Sequence, residues 1–316
     1  MKRVYVFSPW LTTGGVELLH QLVDTLNMHG AYASIVYVGG FKEKQIVVID
    51  KKAPDIYQKY YLHYEHDIGK IDSEESVVII PETIPELVFA IKRSKIVVWW
   101  LSVDNYKFAI EQRQYSDDFI NWSKRADIIH LAQSAYAINF LKNELNISLQ
   151  HISYLSDYIN DAFFTEERRN IVLYNPAKGY DVLKPIIERH KDIVFFPLHG
   201  MTPEQMMLKM RNSKVYIDFG NHPGKDRIPR EAAISGCCVI TNTKGAAAYF
   251  EDVPIPDKYK FEDIEGNEDK IIALIKFIFE NYDNCKKDFE DYRQIIRDEK
   301  FYFVEDAIEI FGKIIK

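Results

Sequence analysis

Apolar positions along the chain follow two periods. Short runs of β-branched and aromatic residues alternate with longer stretches whose apolar residues fall on one helical face. RVYVFS at 3–8 reads as a buried strand, and PWLTTGG as the turn after it. In VELLHQLVDTLNMHG the residues Val16, Leu18, Leu19, Leu22, Val23 and Leu26 share one face, with Gly30 as the stop. Further strands are expected at 31–38, 77–80, 96–101, 127–132 and 151–156, with Ser134 capping a helix to about residue 145. The pattern then restarts: strands at 171–174, 192–196, 214–219 and 237–242 alternate with helices. The helix in KGYDVLKPIIERH is expected to be interrupted early by Pro185, and TPEQMMLKMRN to start on Thr202 with Pro203 in its first turn. The last 45 or so residues read as three helices, EDKIIALIKFIFENY, KKDFEDYRQIIRDE and FVEDAIEIFGKIIK.

Near-continuous apolar strands alternating with helices imply parallel sheets covered on both faces. The expected fold class is α/β, with two Rossmann-like doubly wound domains, a cleft between them and a C-terminal helical segment. The polar stretch DYINDAFFTEERRN at 157–170 holds the boundary. The expected domains are residues 1–160, 161–300 and a final helix at 301–316 returning to the first domain. Open α/β sheets bind ligands beyond the carboxyl ends of their strands, and clefts between domains are favoured sites.

Composition narrows the class. The 316 residues are 47% hydrophobic and 28% charged, the balance of a folded soluble chain. The net charge of -7 argues against a nucleic-acid partner. Cys237, Cys238 and Cys285 include no Cys-x-x-Cys, so neither a disulfide framework nor a zinc site is expected, and a reducing cytoplasm fits. MKRVYVFSPW is too short an apolar run for a signal peptide, and no stretch is long enough to span a bilayer. The nine histidines show no H-x-x-x-H spacing and there is no Asp-x-Asp, so no metal is expected.

Two loops carry the chemistry. In TTGGVE at 12–17, Gly14 and Gly15 lie where a strand meets a helix: either a tight turn, or an open helix N-terminus facing an anion. In DFGNHPGKDRIPREAAISG at 218–236, Lys225, Arg227 and Arg230 crowd the start of a helix, beside His222 and Gly224. Cations there oppose the helix dipole unless an anion joins them, and a diphosphate is the obvious one. The plain alternative is ion pairing with Asp218, Asp226 or Glu231. Glu231 either complements the dipole or accepts both hydroxyls of a ribose. YNPAKG at 174–179 is the equivalent loop of the second domain, where Lys178 is either a solvated loop residue or reaches toward the same phosphate, and Asn175 reaches toward a phosphate or sugar oxygen. Asp104, in WWLSVDNY, is the candidate general base or sugar-hydroxyl acceptor, while Trp99 and Trp100 read as core. KRSK at 92–95 is a small basic cluster suited to a membrane surface or to a solvated helix end.

These segments resemble the retaining GT-B glycosyltransferases often called family four. The likeness rests mainly on residues 171–242: IVLYNPAKG and FFPLHG supply Lys178, Gly179 and Gly200, and REAAISGCCVITN supplies Glu231 and Gly236. The resemblance implies that Glu231 binds the donor ribose, that Lys178 holds the diphosphate and that TGGVE lies against the donor phosphates. It implies sugar transfer from a nucleotide-diphosphate sugar to a glycan or lipid-linked acceptor, metal-independent and without a further cofactor, as in bacterial surface polysaccharide synthesis. It also implies a cytoplasmic protein, with peripheral contact at the inner face of the membrane if the acceptor is lipid-linked. Two departures stand out. The family's glutamate eight positions before Glu231 is Pro223 here, and its His-Asp pair after a first-domain strand is WLSVDN, with Asp104 but no histidine. An inverting reaction with Asp104 as base, a non-catalytic nucleotide- or glycan-binding module and a nucleotide-sugar epimerase are the alternatives. The absent G-x-G-x-x-G puts a dehydrogenase last.

Overall fold

The computed structural model describes residues 2–42, 45–113, 121–159 and 167–316. The expected linker at 157–170 falls partly outside them. The chain forms two compact units, Met1–Asp157 with Lys300–Lys316, and Tyr158–Glu299.

The first unit runs β1 (Arg3–Pro9), α1 (Gly14–Met28), β2 (Ala33–Lys42), β3 (Gln45–Val48), β4 (His63–Tyr64), α2 (Ile68–Ile71), β5 (Ser76–Pro81), β6 (Lys95–Trp100), α3 (Val103–Arg113), β7 (Ile128–Ala132), α4 (Ala135–Asn143) and β8 (Ile152–Tyr154). Its sheet has the order β3-β2-β1-β5-β6-β7-β8, with β4 also on β2, and among the described residues only the β2–β3 pair is antiparallel. The central strands β5 and β6 are almost wholly buried, as expected of parallel strands covered on both faces. Trp99 and Trp100 are core residues. The Trp100 ring stacks on Trp122 and its Nε1–H donates to His130 Nδ1 at 3.0 Å. Burial pushes the His130 and His20 imidazoles down to about 4, so both are neutral ring partners rather than charges. Ser134 caps α4 as the sequence suggests, accepting from Ala137 N–H at 3.0 Å.

The second unit runs β9 (Arg169–Tyr174), α5 (Tyr180–Arg189), β10 (Val194–Pro197), α6 (Pro203–Arg211), β11 (Ser213–Asp218), α7 (Arg227–Ile234), β12 (Cys238–Asn242), β13 (Lys260–Phe261), α8 (Glu268–Glu280) and α9 (Tyr282–Cys285). Its sheet is wholly parallel, in the order β10-β9-β11-β12-β13. Thr202 and Gln205 form a full capping box at the start of α6. Two expectations need correcting. Pro185 lies inside α5 without ending it, because the buried Leu183 and Ile186 hold the amphipathic face in place across the missing amide. The last two expected helices are one, α10 (Glu290–Ile314), since no Gly or Pro separates them. The three cysteines are free and buried in this unit, and burial raises the Cys237 thiol to about 12. No helix among the described residues is long and apolar enough to cross a membrane.

Candidate functional site

The charged motifs of the second unit converge beyond the carboxyl ends of β9 and β11, and glycines make this possible. After β9, the Asn175 side-chain oxygen accepts from Ala177 N–H at 3.0 Å, and its carbonyl from Lys178 N–H at 3.1 Å, closing a tight turn. Gly179 then caps α5 at φ 69°, in the left-handed region. A Cβ on Gly179 would lie 2.7 Å from the Gly220 nitrogen, and one on Gly220 would lie 2.6 Å from Lys178 Cβ. The loops after β9 and β11 thus touch backbone to backbone. That approach delivers Lys178, whose Nζ lies 3.0 Å from each Asp226 carboxylate oxygen.

Asp226 is the N-cap of α7, yet its side chain caps no amide of that helix. A capping carboxylate accepts from the second or third helical N–H, and the third residue here is Pro229, which has none. The carboxylate turns instead to Lys178 and to the buried ring of His222, whose Nδ1 is 3.1 Å away. Burial pushes the Asp226 carboxyl up, but the His222 ring and the Lys178 charge outweigh it and hold it below its ordinary range. His222 Nε2 faces Asp218 at 3.8 Å, and neither ring nitrogen is in line for a full hydrogen bond. Asp218 accepts from Tyr216 O–H at 2.8 Å and Gly220 N–H at 3.0 Å. Burial, then the neighbouring Asp218 charge, raises the Tyr216 phenol far above its usual range. Gly245, at φ 53°, lets Ala246 N–H reach the His222 carbonyl at 2.9 Å, where a Cβ would collide with that oxygen. Asp218, His222 and Asp226 each offer one atom within 4.8 Å of the others, a grouping that could take a metal ion. Lys178 already supplies positive charge at that point.

Two of the clustered cations go elsewhere. Lys225 Nζ and Arg230 Nη1 each lie 2.9 Å from Glu299, and all three side chains are buried. This corrects the reading of Lys225 as an open phosphate ligand. With its side chain 6% exposed, it belongs to an internal ion triad, because a charge out of water needs its partner beside it. Arg227 stays partly open and pairs with Glu231 at 3.0 Å, one helical turn on. Glu231 therefore sits beyond the first turn of α7, not at the helix start that the sequence suggests. Gly224 is buried within the loop, and Gly200 is exposed at φ 67° with open space around it.

In the first unit, Gly14 and Gly15 open α1 without positive φ, so they make no tight turn. The nearest atom to a Cβ on Gly15 would be Leu101 Cδ1, at 4.0 Å. Asp104 lies in the first turn of α3 and accepts from Tyr136 O–H at 2.7 Å. KRSK forms a turn clamped by Asp72, which accepts from the Arg93 and Ser94 amides at 2.8 and 2.9 Å. It precedes β6, at the opposite strand end from Asp104. The sequence reading missed Glu82, just past β5. It is buried and accepts from Leu101 N–H at 2.9 Å, and burial raises its carboxyl to about 8 despite that bond. It also missed Glu299. A lone glutamate in a charged helix gives no sign of its partners, which lie 69 and 74 positions away.

No family model matches the chain, nor does any curated protein. Among solved structures, a glycosyltransferase from Rickettsia africae aligns over 100% of this chain and 99% of its own, at 16% identity and a TM-score of 0.66. HepE from Anabaena, solved with UDP-glucose, aligns over 99% and 100% at 10% identity and a TM-score of 0.65. WaaG, a glycosyltransferase of lipopolysaccharide biosynthesis, aligns over 98% and 99% at 12% identity and 0.58. The chain has the two-unit α/β fold of these glycosyltransferases, the GT-B fold.

Proposed function

We propose that the protein is a glycosyltransferase whose second unit binds a nucleotide-diphosphate sugar and whose first unit receives a glycan or lipid-linked acceptor. One observation carries this reading. The close approach of Gly179 and Gly220 sets a lysine at the start of a helix whose N-cap side chain makes no capping bond. A positive dipole end and an ammonium group together favour an anion, and a diphosphate fits them. Lys178, with Arg227 beside it, would stabilise the charge that grows on the leaving diphosphate as the sugar departs. Glu231 would accept the ribose hydroxyls once Arg227 turns to phosphate, and within the first unit Gly14 and Gly15 would leave room at the start of α1 for a ligand. Asn175, His222, Gly200 and Gly224 would shape the surrounding loops rather than bond the donor through charge. Asp104 would act on the acceptor hydroxyl. The uridine nucleotide carried by HepE makes UDP the first nucleotide to test. The step needs no divalent ion if these cations suffice, and a surface polysaccharide or its lipid-linked precursor is the acceptor class we favour.

The test is thermal. UDP at millimolar concentration should raise the melting temperature without added metal, and Lys178→Ala should abolish the rise. A flat response across nucleoside diphosphates would remove the reading. Donor consumed only when an acceptor is present separates transfer from epimerisation and from a binding module.

A further inference from the structure

Lys178 is not waiting in solvent. Both carboxylate oxygens of Asp226 hold its ammonium at 3.0 Å, in a pair that is 34% and 16% exposed. Asp226 is also the N-cap of α7 and does not perform that task. One carboxylate therefore does two things to the same place. It occupies the cation that an incoming anion needs, and it turns away from the helix N-terminus that such an anion would meet. A second partner is already in position. His222, buried and 3.1 Å from Asp226, faces that carboxylate, and Asp218 lies on its other side.

We propose that Asp226 is an internal counter-anion that latches Lys178, and that a diphosphate binds by displacing it. Lys178 then swings to the ligand while Asp226 keeps the His222 ring. The latch sets selectivity. A monoanion at the same helix N-terminus competes poorly with a bidentate carboxylate for one lysine, whereas a diphosphate with several charged oxygens competes well. The inference rests on the anion-site reading above and adds a sign to it: the carboxylate nearest the site opposes binding.

Inorganic pyrophosphate, which carries no base or sugar, is the probe, with its Kd measured by calorimetry on the full chain at low salt. Removing the competing charge by Asp226→Asn should tighten pyrophosphate binding about five- to tenfold, the size of a partly screened ion pair released. Orthophosphate should gain at least as much, so the preference for pyrophosphate narrows. Lys178→Ala should weaken pyrophosphate binding and remove most of the gain from Asp226→Asn in the double variant. Asp226→Ser, a second uncharged residue at that position, provides another variant if the asparagine form melts early, and it should also bind more tightly than Asp226 does. If wild type binds, Lys178→Ala weakens it, and neither Asp226 variant binds more tightly, the latch is wrong and the anion site stands. If wild type does not bind pyrophosphate, or Lys178→Ala leaves binding unchanged, the site itself falls and the latch with it.

Discussion

The two units solve the same problem, the loop after a parallel strand, in opposite ways. In the second unit the glycines are required by the chain itself. Gly179 takes a positive φ, and a side chain on it would strike the Gly220 amide. In the first unit Gly14 and Gly15 have ordinary helical backbones, and Gly15 has room beside it. The buried carboxylates differ in parallel. Glu299 sits between Lys225 and Arg230, while Glu82 meets backbone amides and is held protonated by burial. The difference teaches where to look for a ligand. Glycines with an internal reason need no external one, so in the second unit the case rests on the charged side chains. Glycines without an internal reason, as in the first, point outward to whatever approaches them.

Four substitutions test this contrast. The largest effect should come from Glu299→Gln, which leaves two buried cations without their anion and should cost about 3–5 kcal/mol in urea denaturation. A loss below about 1 kcal/mol would mean that the triad is wetter than its burial implies. Gly179→Ala should follow, at about 2–3 kcal/mol from strain and the backbone collision, with weaker nucleotide binding as Lys178 is pushed aside. Glu82 should give a pH signature of the opposite kind. Its folded value of about 8 lies above the ordinary carboxyl value of 4.5, so the folded state holds a proton that the unfolded state releases. The stability it contributes is full below 4.5 and is lost as pH rises through 8. Glu82→Gln should flatten that slope and gain about 1–3 kcal/mol over wild type at alkaline pH. The smallest change should be Gly15→Ala, which should raise stability by about 0.5–1 kcal/mol in urea denaturation. If it destabilises the free protein instead, the glycine has an internal role and the contrast fails.

Much of this was legible beforehand. Strand positions and the Ser134 and Thr202 caps follow from local pattern, because burial period and capping chemistry act within a few residues. What stayed hidden is non-local. Nothing near Lys225 in the chain announces Glu299, and its cationic neighbours made an open phosphate ligand the natural inference. Asp226 was visible as an ion-pair candidate, but its failure to cap α7 depends on Pro229 and on Lys178 arriving from 48 positions away. The last two helices read as separate on either side of residues 300–302, though nothing in the chain there forbids continuation.

The location of the sulfur atoms has a practical consequence. Cys237, Cys238 and Cys285 all lie inside the second unit, sealed from water, and the Cys237 group is held as an unreactive thiol. An alkylating dye added to the native protein should therefore record how often that unit opens and nothing about the other. Labelling kinetics with and without nucleotide become a clock for one half of the molecule, with no engineered tag required.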